Sequence, residues 1–308
     1  MRGKIPRMAP LLDLPVGCTA RPATTADVPA IHALVSAVER DLIGVVETGA
    51  DGIEAALNRP GLDAAVDSLV VHAADGRLAG WAWINRGRRA QVDVDPSFRG
   101  QGIGSALRAW TEARAAEVGT DWVAQTVDDQ DLAGTELLRS RGYEVLATNW
   151  QLTMPTADLE IRIPDGLTVR PFAPGDEQAA YQVIEDAFDD WQPRRKSYDE
   201  WARLSIERSS FAPELSPLAF AGDELVGAVL SLDLPDTEDG YVEQVAVRKD
   251  HRGRGVAKAL LAIAAQAMHA RGRTSLTLWT HSGTGALAMY ERLGMTVRRS
   301  TTVYRGQI

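Results

Sequence analysis

The spacing of apolar and polar positions predicts an alternation of helices and strands along this chain. Apolar residues recur at helical spacing in two stretches, formed by Ala180, Val183, Ile184, Ala187 and Phe188 and by Val256, Ala259, Leu260, Ile263 and Ala267. β-rich runs flank the turn signals Asp75-Gly76 and Gly222-Asp223, and each arrangement predicts a hairpin. We therefore predict an α/β (α+β) fold in which helices flank mixed, twisted sheets.

One long segment of the chain is repeated. The residues from Val94 to Leu107 are echoed by those from Val247 to Leu260 at an offset of 153 residues, and both segments contain Arg-Gly-x-Gly. Each copy has the same predicted order: a short strand, a helix, a hairpin, a strand, a glycine loop, a long helix, a strand, a second helix and a final strand. Two repeats of this length indicate duplicated domains and not a solenoid.

The length of the chain also favours two domains. Its 308 residues exceed the roughly 100 to 200 residues of a typical domain. Pro155 and the turn Pro164-Asp165-Gly166 mark a linker between the copies. We predict an N-terminal domain over 1–154, a linker over 155–166 and a C-terminal domain over 167–308.

The glycine loop of each copy follows a strand and opens a helix. Unpaired N–H groups and the helix dipole make such a helix start a site that suits phosphate. Gly102 and Gly255 would let the backbone approach this ligand closely. Ser105 and Lys258 occupy the place of the third glycine of a Rossmann fingerprint, and neither loop ends in the Gly-Lys-Ser/Thr of a P-loop.

Composition narrows the possible partners. The 33 basic and 42 acidic residues give a net charge of −9, which argues against general binding to nucleic acid or anionic lipid. A single Cys18 cannot form an intramolecular disulfide or a Cys-based zinc site, and no metal is predicted. No apolar run approaches the ~18 residues of a membrane span, so we expect a cytoplasmic protein.

The Arg-x-x-Gly-x-Gly/Ala loop resembles the coenzyme A pyrophosphate loop of the GNAT acetyltransferase superfamily. The segment from Thr284 to Met295, with Tyr290 four residues before Gly294, is similar to the late segment of that family. The resemblance covers both copies and implies two tandem GNAT-like domains with acetyl-CoA as co-substrate. The implied contacts are Val245, Ala246, Val247, Arg252, Gly253, Arg254, Gly255, Val256 and Ala257 in the second copy and Val94, Arg99, Gly100, Gln101, Gly102 and Gly104 in the first.

Acetyl transfer to an amine requires a neutral nucleophile, a polarised thioester carbonyl and a proton for the leaving thiolate. The period of two puts every second residue from 241 to 247 on one strand face, where Glu243 would act as general base. Backbone N–H near Val245 or Ala246 would hold the thioester oxygen. The resemblance implies that Tyr290 is the general acid.

The first copy lacks both proton-transfer groups. Ala90 takes the place of Glu243, and Leu138 takes the place of Tyr290. We therefore predict that the C-terminal domain is catalytic and the N-terminal domain is not. Whether the first glycine loop still binds coenzyme A stays open.

The resemblance implies that two segments of the second copy wall the acceptor site. They are 186–211, with Asp189, Asp190, Trp191, Tyr198 and Trp201, and 233–239, with Asp233, Asp236, Glu238 and Asp239. Acidic and aromatic groups together suit a cationic small-molecule amine. The alternative is that these charges form a solvated surface and the rings form core.

The function predicted from the sequence is acetyl-CoA-dependent N-acetylation of a primary amine of a small molecule. Two alternatives stay open. One is a non-catalytic acyl-CoA-binding or sensor protein. The other is an enzyme similar to mycothiol synthase, which would acetylate a cysteinyl amine.

Overall fold

The chain is divided into two compact units. A computed structural model describes residues 12–157, 159–189, 192, 194–234 and 237–308. Of these, 12–146 and 303–308 form the first unit, and the residues from 147 to 302 form the second.

The first unit is a sheet with helices on both faces. Its strands are β1 (Thr19–Arg21), β2 (Ser68–His72), β3 (Leu78–Asn85), β4 (Arg89–Val94) and β5 (Trp122–Asp128), and its helices are α1 (Val28–Ile43), α2 (Ala50–Leu57), α3 (Ala64–Asp67), α4 (Ile103–Glu117) and α5 (Leu132–Ser140). The strands lie in the order β1-β2-β3-β4-β5, and β4 and β5 run parallel. Since side chains alternate between faces, Val70 packs with α1 and α2, whereas Leu69 and Val71 pack with α4.

The second unit repeats this plan. Its strands are β6 (Glu144–Pro155), β7 (Leu167–Pro171), β8 (Pro217–Ala221), β9 (Glu224–Leu232), β10 (Asp239–Val247), β11 (Ser275–His281) and β12 (Thr296–Gln307), and its helices are α6 (Glu177–Phe188), α7 (Tyr198–Leu204), α8 (Val256–His269) and α9 (Leu287–Arg292). The strands lie in the order β12-β6-β11-β10-β9-β8-β7, and β10 and β11 run parallel.

Two apolar clusters cover the two faces of this second sheet. The α8 cluster includes Val242, Val247, Leu260, Leu278 and Tyr290. The α6/α7 cluster includes Ile184, Trp201, Leu230 and Ala246. Strand β10 contributes to both clusters, so it separates the two layers at the centre of the unit.

The predicted α/β fold with mixed sheets is confirmed. The two helical patterns lie in α6 and α8. The predicted hairpins are β2–β3 and β8–β9, in which Gly76 and Gly222 have φ of 84° and 60°. Both turns therefore need a residue that tolerates the left-handed region, as glycine does.

Part of the last strand of each copy lies in the unit formed mainly by the other copy. From Ala147 onward β6 lies in the second unit, where it pairs antiparallel with β11. From Val303 onward β12 lies in the first unit, where the N–H of Ile308 donates to the carbonyl of Asp121 at 3.0 Å. The boundaries predicted at 154 and 167 follow the repeat and so differ from these units. Sequence similarity identifies which segments are copies and not which sheet a strand completes.

Candidate active site

Strands β10 and β11 separate halfway along their length. Their parallel ladder runs from Asp239 and Ser275 to Val242 and Leu278. Beyond that point the described residues of β10 pair only with β9, and those of β11 pair only with β6. We call the opening beyond Val242 the cleft. Backbone N–H and C=O groups on the β11 side of residues 244–246 are left available to a ligand there.

A β-bulge lies at the start of the cleft. The β10–β9 register shifts between Val242, which opposes Ser231, and Gln244, which opposes Leu230. Glu243 is therefore the extra residue, and a bulge of this kind interrupts the ladder and redirects side chains.

Because of the bulge, the side chains of β10 do not alternate between the two faces as predicted. Val242, Val245 and Val247 all contact the α8 cluster, so Glu243 and Gln244 together occupy the place of one residue between Val242 and Val245. The expectation that every second residue from 241 to 247 shares one face is wrong, because a bulge shifts the period of two by one residue. Glu243 is half-buried at this position.

Tyr290 lies on α9 and packs into the α8 cluster with Val247 and Val256. Its side chain is 7% exposed. Burial raises the pKa of Tyr290 to about 12, so the hydroxyl stays protonated at neutral pH. No hydrogen bond joins this hydroxyl to any residue that the structure describes.

The second glycine loop has the backbone of an anion-binding helix start. A 3-10 turn (Lys249–His251) leads into Gly253 and Gly255, whose φ values are 75° and 86°, and α8 begins at Val256. No side chain crowds either glycine, so the left-handed backbone alone requires this residue type. Ala257 lies in the first turn of α8 and contacts the α8 cluster.

Arg252 holds the loop through main-chain oxygens. Its Nε donates to the carbonyl of Val247 at 3.1 Å, and one terminal nitrogen donates to the carbonyl of Ala187 at 3.3 Å. Arg254 and Lys258 are exposed beside the loop, and neither has a carboxylate partner among the described residues. The second loop therefore presents positive charge that is not neutralised by ion pairs.

The first glycine loop has the same backbone and a different charge. Gly100 and Gly102 have φ of 75° and 94°. Gly104 lies close to Val94, since a Cβ at Gly104 would be 3.6 Å from a methyl carbon of that valine. Arg99 is ion-paired with Asp41 at 2.5 Å.

Uncharged residues complete the first loop. Gln101 and Ser105 stand where the second loop has Arg254 and Lys258. The first loop thus offers a polyanion the same N–H groups with less positive charge.

The strand before the first loop has no bulge. β3 and β4 pair without a register shift from Gly80–Val94 to Asn85–Arg89. β4 and β5 separate after Ala90 and Gln125, so an opening exists here too. It carries the carboxyl of Asp93, whose pKa is raised to about 7 mainly by burial, although Gln91 donates to it.

Several residues of the predicted acceptor walls form ion pairs, and others belong to the apolar core. Asp186 pairs with Arg195, Asp233 with Arg273, and Asp239 with Arg298. Trp201 is fully buried and contacts Tyr181 and Tyr198 through their rings. Asp190, Trp191 and Asp236 lie outside the described residues. Asp186, Asp233 and Asp239 are thus neutralised, and Trp201 belongs to the core, as the alternative of structural charges and core rings expects for these residues.

One polar residue at the bulge was not singled out from the sequence. The Nε1 of Trp201 donates to the Oε1 of Gln244 at 3.0 Å. This contact ties α7 to the residue that follows Glu243. The sequence signal that could have revealed it is a polar residue next to Glu243 in an otherwise apolar strand.

The described residues form neither a metal site nor a membrane-spanning helix. They contain no group of three or more His, Cys, Asp or Glu side chains placed to hold a metal ion. No described helix is long and apolar enough to cross a membrane.

Both halves of the chain match a known protein family. The family model for the acetyltransferase (GNAT) family matches residues 34–143 and 179–295. Each match contains one glycine loop and the opening beside it. Both repeats are therefore recognised independently by the same family.

Relatives and solved structures agree with this match. The chain is 29% identical to a mycothiol acetyltransferase of Geodermatophilus obscurus, over 81% of this chain and 87% of the relative. It is 28% identical to a mycothiol acetyltransferase of Catenulispora acidiphila, over 94% and 98%. A GCN5-related N-acetyltransferase from Sphaerobacter thermophilus has a TM-score of 0.74 at 27% identity, with 96% of each chain covered. A tandem GNAT protein from the clavulanic acid biosynthesis pathway shares the fold, with a TM-score of 0.73 at 16% identity over 94% and 98%.

Proposed function

Since this chain belongs to the acetyltransferase (GNAT) family and is an N-acetyltransferase with two such domains, we propose that its second unit transfers acetyl from acetyl-CoA to a primary amine of a small molecule. The observation that carries this proposal is the bulge at Glu243, which coincides with the point where β10 and β11 separate. The equivalent strand of the first unit has no bulge and has Ala90 at this place.

Acetyl-CoA would bind along the cleft. The N–H groups around Gly253 and Gly255 and the cations Arg254 and Lys258 suit its pyrophosphate. The amides of its pantetheine arm would pair with the available backbone of residues 244–246, as an added strand does. Backbone N–H near Val245 or Ala246 would then face the thioester oxygen.

Three groups of the second unit would carry out the acetyl transfer. Glu243 takes a proton from the acceptor ammonium, and the neutral amine attacks the thioester carbon. Backbone N–H stabilises the oxyanion of the tetrahedral intermediate. When the C–S bond breaks, the thiolate takes the proton of Tyr290, and the second proton lost by the attacking nitrogen returns to the Tyr290 phenolate. The burial that raises the pKa of Tyr290 keeps its hydroxyl protonated, so the proton is present when the thiolate leaves.

The first unit would serve as a non-catalytic scaffold. It has Ala90 and Leu138 at the places of Glu243 and Tyr290. Its glycine loop has fewer uncompensated cations than the second loop, so we expect weaker binding of coenzyme A there.

The relatives favour a more specific class of acceptor. Both relatives compared above are named mycothiol acetyltransferase, which supports an acceptor with a cysteinyl amine. The cationic acceptor is less well supported, because Asp186, Asp233 and Asp239 already pair with arginines.

Release of coenzyme A thiol, measured with acetyl-CoA and a panel of primary amines, tests the proposed function. Glu243→Gln should reduce the rate at neutral pH and leave coenzyme A binding intact. Glu291→Gln, on the exposed side of α9, is the matched control and should keep the rate. Binding of coenzyme A without transfer to any amine would instead support the sensor alternative.

A further inference from the structure

The orientation of the Gln244 amide is determined by a buried indole. The Nε1 of Trp201 lies 3.0 Å from the Oε1 of Gln244, and Trp201 is fully buried. An indole N–H can only donate, so the atom it meets must be the amide oxygen. The amide nitrogen of Gln244 must therefore point away from Trp201.

That amide nitrogen has two N–H groups to donate. Within the described parts of the chain no residue accepts a hydrogen bond from Nε2 of Gln244. The side chain is half-buried, and Nε2 is not among the fully buried polar atoms that lack a partner. The two N–H groups therefore reach accessible space beside the bulge.

The position of this donor is tied to the proposed base. Gln244 follows Glu243, and both occupy the place of one residue between Val242 and Val245. Its partner Trp201 belongs to the α6/α7 cluster, whereas the glycine loop leads into α8 on the opposite face. The donor thus faces the side away from the α8 cluster.

We propose that Gln244 is a specificity-determining residue that donates a hydrogen bond to an oxygen of the acceptor near its reacting amine. This inference rests on the proposed function and narrows the substrate class to amines with a neighbouring hydroxyl, ether or carbonyl oxygen. A hydrocarbon chain would leave the N–H groups without an acceptor in a desolvated site, which is unfavourable. A second ammonium, as in a polyamine, cannot accept from them at all.

The first unit provides an internal comparison. Gln91 occupies the equivalent place, and its Nε2 donates to the carboxyl of Asp93 at 2.8 Å. The same residue type is therefore satisfied within the first unit. A free amide donor beside a bulge is a feature of the second unit among the described residues.

A matched pair of amines tests the proposal. Methoxyethylamine carries an ether oxygen, which accepts but cannot donate, and butylamine has a methylene in its place. We would measure their affinities by calorimetry with coenzyme A present, and separately their kcat/KM for acetylation. The quantity compared is the preference for the ether amine over butylamine in wild type and variants, which cancels the intrinsic difference between the two amines.

Three variants separate the possible causes. Gln244→Leu removes the donor and should reduce the preference for the ether amine about tenfold. Gln244→Glu keeps an acceptor for Trp201 but presents an oxygen to the substrate, so it should abolish the preference even if Gln244→Leu does not fold. Gln91→Leu is the matched control in the first unit and should leave the preference unchanged.

The two proposals fail in different ways. If wild type binds and acetylates both amines equally, or if Gln244→Glu keeps the wild-type preference, the inference is overturned and the proposed function stands. If wild type prefers the ether amine in binding, loses this preference in Gln244→Glu and acetylates neither, the donor role is supported and the proposed function fails.

Discussion

The Nε of Arg252 donates to the carbonyl oxygen of Val247 at 3.1 Å, which joins the last residue of β10 to the glycine loop. A second bond, to the carbonyl of Ala187, joins the loop to the end of α6. The arginine thus positions the loop backbone and contributes its charge beside it. Two bonds in fixed directions require a planar guanidinium, which lysine does not have.

We expect Arg252→Lys to raise the KM for acetyl-CoA by roughly fivefold to tenfold, because at least one of these bonds is lost. The maximal rate should change less, since Glu243 and Tyr290 are untouched. Steady-state kinetics with varied acetyl-CoA measures both values. Arg254→Lys, which keeps a charge where no described bond is lost, is the control, and an equal rise in its KM would contradict the positioning role.

The two glycine loops can be compared by one substitution. Gly102→Asp and Gly255→Asp impose similar backbone strain, because both glycines have φ near 90° and open space around them. We expect Gly255→Asp to lose most activity, since its carboxylate would repel the pyrophosphate. Gly102→Asp should retain it. Loss of thiol release in Gly102→Asp alone would assign the working loop to the first unit.

Tyr290 gives a prediction about pH. Its pKa is raised to about 12, and an acid works below its pKa, so the rate should not fall through deprotonation of this residue up to about pH 10. Tyr290→Phe should lower kcat about a hundredfold and leave the affinity for coenzyme A unchanged. A pH-rate profile of the maximal rate and calorimetric titration with coenzyme A check the two parts. A descending limb well below pH 10 that disappears in Tyr290→Phe would contradict the assignment.

Asp93 predicts how stability depends on pH. Burial, with smaller contributions from Glu39 and Asp131, raises its pKa from 3.8 to about 7 against the opposing bond from Gln91. Between these values the folded state binds more protons than the unfolded state, so the contribution of Asp93 is fully present below about pH 4 and is lost as pH rises through 7. Asp93→Asn should therefore weaken this fall in stability.

Urea unfolding at pH 5 and at pH 8 measures the effect of Asp93→Asn. The exposed Asp223→Asn is the control, and its stability should change with pH as wild type does. A wild-type fall between the two pH values that persists unchanged in Asp93→Asn would show that other groups cause it.

Gly306 packs directly against the ring of Tyr143. A Cβ at this position would lie 2.4 Å from a ring carbon, and the Tyr143 hydroxyl is held by its bond to Glu112 at 2.9 Å. Gly306→Ala should therefore cost about 1 to 3 kcal/mol of stability through overpacking. Thermal unfolding measures it. The adjacent exposed Gln307→Ala is the control, and equal melting temperatures for the two variants would contradict the predicted clash.

The repeat, the helices and both glycine loops could be predicted because each depends on local spacing. The bulge could not, because Val242 to Val247 read as an ordinary alternating strand until the pairing with Ser231 and Leu230 is known. The ion pairs within the predicted acidic wall could not be foreseen for a similar reason. Asp233 and Asp239 find their partners in Arg273 and Arg298, which are remote in sequence.

The segment of β12 that lies in the first unit also implies an order of folding. The first unit needs residues 303–308 to complete its sheet, and Ile308 bonds to Asp121 across almost the whole second copy. Such distant contacts are slow to form and costly in chain entropy. The half that is synthesised first is therefore expected to finish folding last, with its open strand β5 exposed until the second half is made.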